Sequence, residues 1–106
     1  MDVNTLKFTA NLDGSIKCEI YDSLGEKQNL NGCFVKFCLG YEYEDDAIIS
    51  LNMTILEDGS CIINLTPTDT EMLSVGEYWF NLLITDTSNK KHGTEKIKLS
   101  IDKPIE

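Results

Sequence analysis

The sequence predicts an all-β chain, an antiparallel β-sandwich of about seven strands. Apolar residues recur at every second position over most of its length, the period of a half-buried strand rather than of a helix. Turn signals containing Gly, Asp or Asn separate these runs at roughly 12-residue intervals. A corner from Pro67 to Gly76 then joins two of the runs by more than a tight turn, as a crossover between sheets requires. A small β-barrel is the competing architecture, because alternation alone does not distinguish it from a sandwich.

The first strand carries Leu6, Phe8, Ala10 and Leu12 on one face, against Lys7, Thr9 and Asn11 on the other. Asp13-Gly14 is a hairpin signal, and Ile16, Cys18 and Ile20 alternate with Lys17 and Glu19 after it. Asp22-Ser-Leu-Gly25 and Asn31-Gly32 mark the next turns. The following run has Cys33, Val35, Phe37 and Leu39 on one face and Phe34 and Cys38 on the other. Being apolar on much of both faces, it reads as a central strand. Ile49, Leu51, Met53 and Ile55 form one alternating run, Asp58-Gly59 turns, and Cys61, Ile63 and Leu65 return. Beyond the corner, Tyr78, Phe80, Leu82 and Ile84 share a face, Asp86 to Gly93 reads as a turn, and Ile97, Leu99 and Ile101 close the pattern. The one helical candidate, Thr68 to Val75 after Pro67, is too short to stand as an independent helix.

The 106 residues suit one domain spanning 1–106, with 42% hydrophobic and 25% charged residues as in a globular chain. No apolar run approaches the ~20 residues of a membrane-spanning helix, and the Met-Asp-Val-Asn-Thr start lacks the basic and apolar regions of a secretory signal. The net charge of −9 opposes binding to a phosphate backbone, so neither nucleic acid nor membrane is expected as a partner. Cys18, Cys33, Cys38 and Cys61 form no C-x-x-C, and His92 is the only histidine, so no zinc-like spacing exists. The cysteines read as reduced thiols of a protein made in a cytoplasm; a Cys18–Cys61 or Cys33–Cys61 bridge is the alternative under oxidising conditions. Asn52-Met-Thr54 and Asn64-Leu-Thr66 match the glycosylation sequon, which carries weight only in a secreted chain.

No nucleophile–base constellation, zinc-protease motif or phosphate loop is present in the sequence, so no catalytic residue and no cofactor is expected. The acidic run Glu42-Tyr-Glu-Asp-Asp46 lacks the spacing and Gly of a calcium loop, and reads as an exposed acidic loop or a contact for a basic neighbour. Aromatic residues are more informative. Trp79, the single tryptophan, lies out of phase with Tyr78 and Phe80. It is a candidate interface anchor if exposed, and otherwise packs under a loop or the N-terminal segment. Phe34 has the same ambiguity, and Tyr41 and Tyr43 are candidates for the rim of the same interface.

Gly76-Glu-Tyr78 resembles the tyrosine corner of Ig-like sandwiches, without the antibody spacing or its cysteine. More broadly, the chain resembles the N-terminal Ig-like domain of tailed-phage baseplate upper proteins and related small phage virion proteins. The matching residues are Asp22-Ser-Leu-Gly25, Leu30-Asn-Gly-Cys-Phe-Val-Lys-Phe37, Asp58-Gly59, Leu65-Thr-Pro-Thr-Asp-Thr70, Leu73-Ser-Val-Gly-Glu-Tyr78 and Ile97-Lys-Leu-Ser-Ile101, in that order. The resemblance implies an Ig-like sandwich and a non-enzymatic structural module of the virion, docking in many copies on baseplate, tail or capsid proteins. Baseplate upper proteins continue into a coil and a binding region, whereas this sequence ends at Glu106; a stand-alone module is therefore expected rather than a receptor-binding protein. Two other readings compete. An acidic regulator occupying a basic surface of a host protein would need its acids on one face, and a carbohydrate-binding sandwich would need Trp79, Tyr41 and Tyr43 as an exposed stacking platform.

Overall fold

A computed structural model describes residues 3–10, 14–66 and 76–101. These residues form two antiparallel sheets that pack into a sandwich, and no helix occurs among them. The strands are β1 (Thr5–Ala10), β2 (Ser15–Tyr21), β3 (Phe34–Tyr41), β4 (Ile49–Asn52), β5 (Thr54–Ile55), β6 (Cys61–Asn64), β7 (Gly76–Thr85), β8 (Lys91–Gly93) and β9 (Ile97–Ile101). One sheet has the order β1-β2-β6-β5; the other has β4-β3-β7-β8, with β9 also paired to β7. Lettered in chain order, with β8 and β9 sharing one edge, these are A-B-E-D and C′-C-F-G, the Ig-like arrangement. The helical candidate and the Pro67–Val75 part of the corner lie outside the described residues.

Alternation sets the inner faces as the sequence predicts. In β2 the inward residues Ile16, Cys18 and Ile20 are buried, and Leu6 and Phe8 of β1 sit opposite Ile20 and Cys18. In β3, Val35, Phe37 and Leu39 point inward opposite Ile84, Leu82 and Phe80 of β7. Phe37 and Phe80 stack with ring centroids 5.4 Å apart at the centre of the core, and Phe8 meets Phe80 edge-on at 5.0 Å. Tyr78, the third residue of β7, is buried with them.

Two departures from the seven-run pattern have physical causes. The run from Ile49 to Ile55 is two strands: β4 pairs with β3, and β5 pairs with β6 in the opposite sheet. Buried Met53 is the pivot, its N–H donating to the Val35 carbonyl at 2.9 Å. Period-two alternation continues through the switch because the core lies between the sheets on both sides of it. At the other edge, the expected Asp86–Gly93 turn is shorter than predicted. Asp86 Oδ1 accepts the N–H groups of Ser88 (2.9 Å) and Lys90 (3.0 Å), and Asn89 takes φ 68°. Lys91 then already pairs with Thr85. Between β8 and β9 the register on β7 slips by one, from Leu83↔Gly93 to Phe80↔Ile97, which makes a β-bulge. The Thr94 hydroxyl fills the gap by accepting the Leu82 N–H at 2.9 Å.

All four cysteines are free thiols. Cys18 and Cys61 are cross-strand partners in the core, with the Cys61 thiol directed at the Cys18 carbonyl at 3.8 Å. The hydrogen bond with the Cys61 side chain and burial push the Cys18 thiol far above its ordinary pKa.

Candidate functional site

The outer face of the β4–β3–β7–β8 sheet holds the residues that alternation turns away from the core. Its rows follow from the register. Thr85 stands between Phe34 and Lys91, Lys36 between Asn52 and Leu83, Cys38 between Ser50 and Asn81, and Gly40 beside Trp79.

Trp79 is not an exposed anchor. It is 7% exposed and packs under a loop, the second of the two placements its phase permits. The chain after Tyr41 folds back over this end of the face as a flap. Indole Nε1 donates to the Glu44 carbonyl at 2.7 Å, and Lys96 Nζ lies 4.3 Å from the ring centroid. Gly40 makes this packing feasible: a Cβ there would fall 2.6 Å from Trp79 Cζ2 and 2.7 Å from the Asp46 carbonyl oxygen. The acidic run thus forms the roof of a tryptophan pocket. Its basic neighbours come from the chain itself, with Lys96 3.5 Å from Asp45 and Lys98 3.0 Å from Glu42. Among the described residues no cluster of acidic, His or Cys side chains is arranged to hold a metal ion.

The other three candidate residues divide by exposure. Tyr41, the last residue of β3, is half-buried on the inner face, stacked on Tyr43 (5.8 Å) and tilted against its partner Tyr78 (5.7 Å), so it does not join the rim of the outer face. Tyr43 is 82% exposed, and Phe34 is 78% exposed on the outer face at the far end of β3. Phe34 borders a shallow groove of about 240 Å³, lined with it by Lys36, Asn52, Leu83, Thr85 and Lys91.

Charge on this face is segregated. The rows from Phe34 to Asn81 carry Lys36 and Lys91 and no carboxylate, whereas the flap carries Glu42, Glu44, Asp45 and Asp46. The remaining described acids do not gather on one side. Asp22, Asp58 and Asp86 each build a turn by accepting nearby N–H groups, and Glu77 bonds Ser100 at the opposite end. A basic groove on a chain of net charge −9 had no signal in the sequence, because Lys36 and Lys91 are 55 residues apart and meet only through β7. Compared with protein-family models, curated proteins and solved structures, the chain shows no significant match.

Proposed function

We propose that this chain is a non-enzymatic interaction module of a bacteriophage particle, docking on baseplate, tail or capsid proteins. The observation that carries the docking half is the outer sheet face, where an exposed Phe34 borders a groove between Lys36 and Lys91. A large exposed apolar side chain ringed by charge is a common form of protein contact. The two-sheet scaffold presents that face outward, and repetition in an assembly multiplies weak contacts into avidity. The bacteriophage half rests on the ordered resemblance to baseplate upper protein domains, whose matched segments lie largely in β3, the Asp58-Gly59 turn, the start of β7 and β9. Mass spectrometry of purified virions from the host that carries this gene tests it: the protein should be present at many copies per particle. Its absence from particles overturns the proposal.

The two rival readings lose support. Trp79 lies under the flap, so the carbohydrate platform is reduced to Tyr41 and Tyr43. The described carboxylates are spread over both ends of the sandwich, whereas an acidic mimic of a single ligand needs them on one side.

A further inference from the structure

We propose that the outer face of the β4–β3–β7–β8 sheet is a twofold interface between two copies of this chain, the acidic flap of each, with Glu44 and Asp46, seating against the Phe34 groove of the other. The inference rests on the docking reading above and deepens it by naming the occupant of the face.

Three observations converge on a second copy. The first is that one face carries both halves of the contact. Phe34 begins β3 and the flap follows its last residue, Tyr41, so the two lie about 23 Å apart at ~3.3 Å per residue. The groove and the flap backbone at Glu44 and Asp46 are both on the outer side, since that backbone roofs Gly40 and Trp79, whereas the Tyr43 ring stacks on Tyr41 of the inner face. A twofold axis lying in the interface plane, perpendicular to the strands and passing over Cys38, therefore turns the two outer faces toward each other and places each groove opposite the other copy's flap, so that the contact is made twice. Such self-complementary pairing is the commonest oligomeric symmetry.

The second is charge. The groove end offers Lys36 and Lys91; the flap offers Glu44 and Asp46, while Asp45 is already engaged by Lys96. Two copies of net charge −9 repel one another over most of their surfaces. This arrangement is one in which opposite signs meet.

The third is shape. The flap crosses over Gly40 and Trp79 on the outer face, and the groove of about 240 Å³ at the other end offers a recess to receive it. Seating the flap there would cover Phe34, which is now 78% exposed.

The contact is small. Four strands at ~4.8 Å spacing and about 23 Å of length project to roughly 440 Å² per copy, below a standard interface of about 800 Å² per partner. A weak dimer is expected, visible only at high concentration and strengthened where copies are arrayed.

Sedimentation velocity of the full chain from about 1 μM to 1 mM tests the proposal. The expected result is a concentration-dependent dimer. Phe34→Glu should weaken it at least tenfold, with circular dichroism unchanged. The pair Lys36→Glu and Lys91→Glu should abolish it, as should the pair Glu44→Lys and Asp46→Lys. Mixing the two charge-reversed proteins should restore a one-to-one heterodimer, an outcome that general destabilisation does not produce. A monomer at every concentration overturns the inference, and so does a dimer indifferent to these substitutions. If the wild type is monomeric yet Phe34→Glu alone is lost from virions, the face belongs to a different acidic protein; the twofold inference falls and the docking reading stands. If the chain dimerises as described but is missing from virions, the interface stands and the phage reading falls.

Discussion

Replacing Gly40 with Ala tests how tightly the flap is held. The new Cβ would lie 2.6 Å from Trp79 Cζ2 and 2.7 Å from the Asp46 oxygen, about 1 Å inside ordinary contact. Gly40 itself is fixed between strand neighbours paired as Leu39↔Phe80 and Tyr41↔Tyr78, so the flap and the indole must give way. Displacing them loses the Nε1–Glu44 hydrogen bond, about 1 kcal/mol. It also weakens the Lys96 cation–π contact, about 0.5–1 kcal/mol at a partly exposed site. Residual overpacking adds to this, and reduced freedom of the unfolded chain offsets about 0.4–1 kcal/mol. A net loss of about 2 kcal/mol follows, or a Tm lower by roughly 8–16 °C in a domain of this size. Urea titration is the assay, and the single tryptophan makes it doubly informative, because the native emission should shift red as Trp79 gains water. In a Trp79→Ala background, itself destabilised by about 3 kcal/mol, the Gly40→Ala cost should fall by at least half through coupling. An unchanged midpoint and emission maximum, or a cost independent of Trp79, would refute the reasoning.

Three further outcomes follow from the core, the bulge and the turns. Phe37→Ala and Tyr78→Ala should each cost about 3–5 kcal/mol in denaturant titrations, since both side chains are buried in the core cluster; midpoints near wild type would contradict the face assignment. Thr94→Val keeps the shape of the bulge but removes the acceptor of the Leu82 N–H, and should cost about 1–3 kcal/mol. Its signature in hydrogen exchange is faster exchange of the Leu82 amide, and an unchanged rate would count against the bond. The His92 hydrogen bond, with the Lys90 and Ser88 amides, lowers the Asp86 pKa to about 2. A carboxyl that titrates near 3.9 unfolded and lower when folded adds stability above pH ~4 and loses it as pH falls from about 4 through 2. Asp86→Asn should therefore flatten the fall of Tm with pH in that window, and an unaltered profile would exclude the pairing as its cause.

Much of the fold is legible in the sequence because burial on one face of a strand imposes a period of two whatever the partner. Ile16–Cys18–Ile20, Val35–Phe37–Leu39 and Phe80–Leu82–Ile84 all point inward as their alternation requires. Asp-Gly and Asx turns are legible for a similar reason: a short polar side chain bonding its own backbone is a local event. The sheet switch at Met53 and the bulge at Thr94 were not, since neither alters which residues are apolar.

The candidate surface shows the same division more sharply. Sequence alone determined that Trp79 and Phe34 fall off the core phase, that Tyr43 falls in a loop and that the chain is acidic; the loop it expected from Tyr41 begins one residue later, since Tyr41 ends β3 on the core phase beside Tyr78. It had no means of deciding which aromatic meets water, because that depends on where the flap lies. Only the tertiary structure sets Gly40 opposite Trp79, lets the acidic run close over the indole, and leaves Phe34 and Tyr43 outside. The physical reason is that side-chain direction is encoded by neighbours in the strand, while coverage is decided by segments far away in sequence.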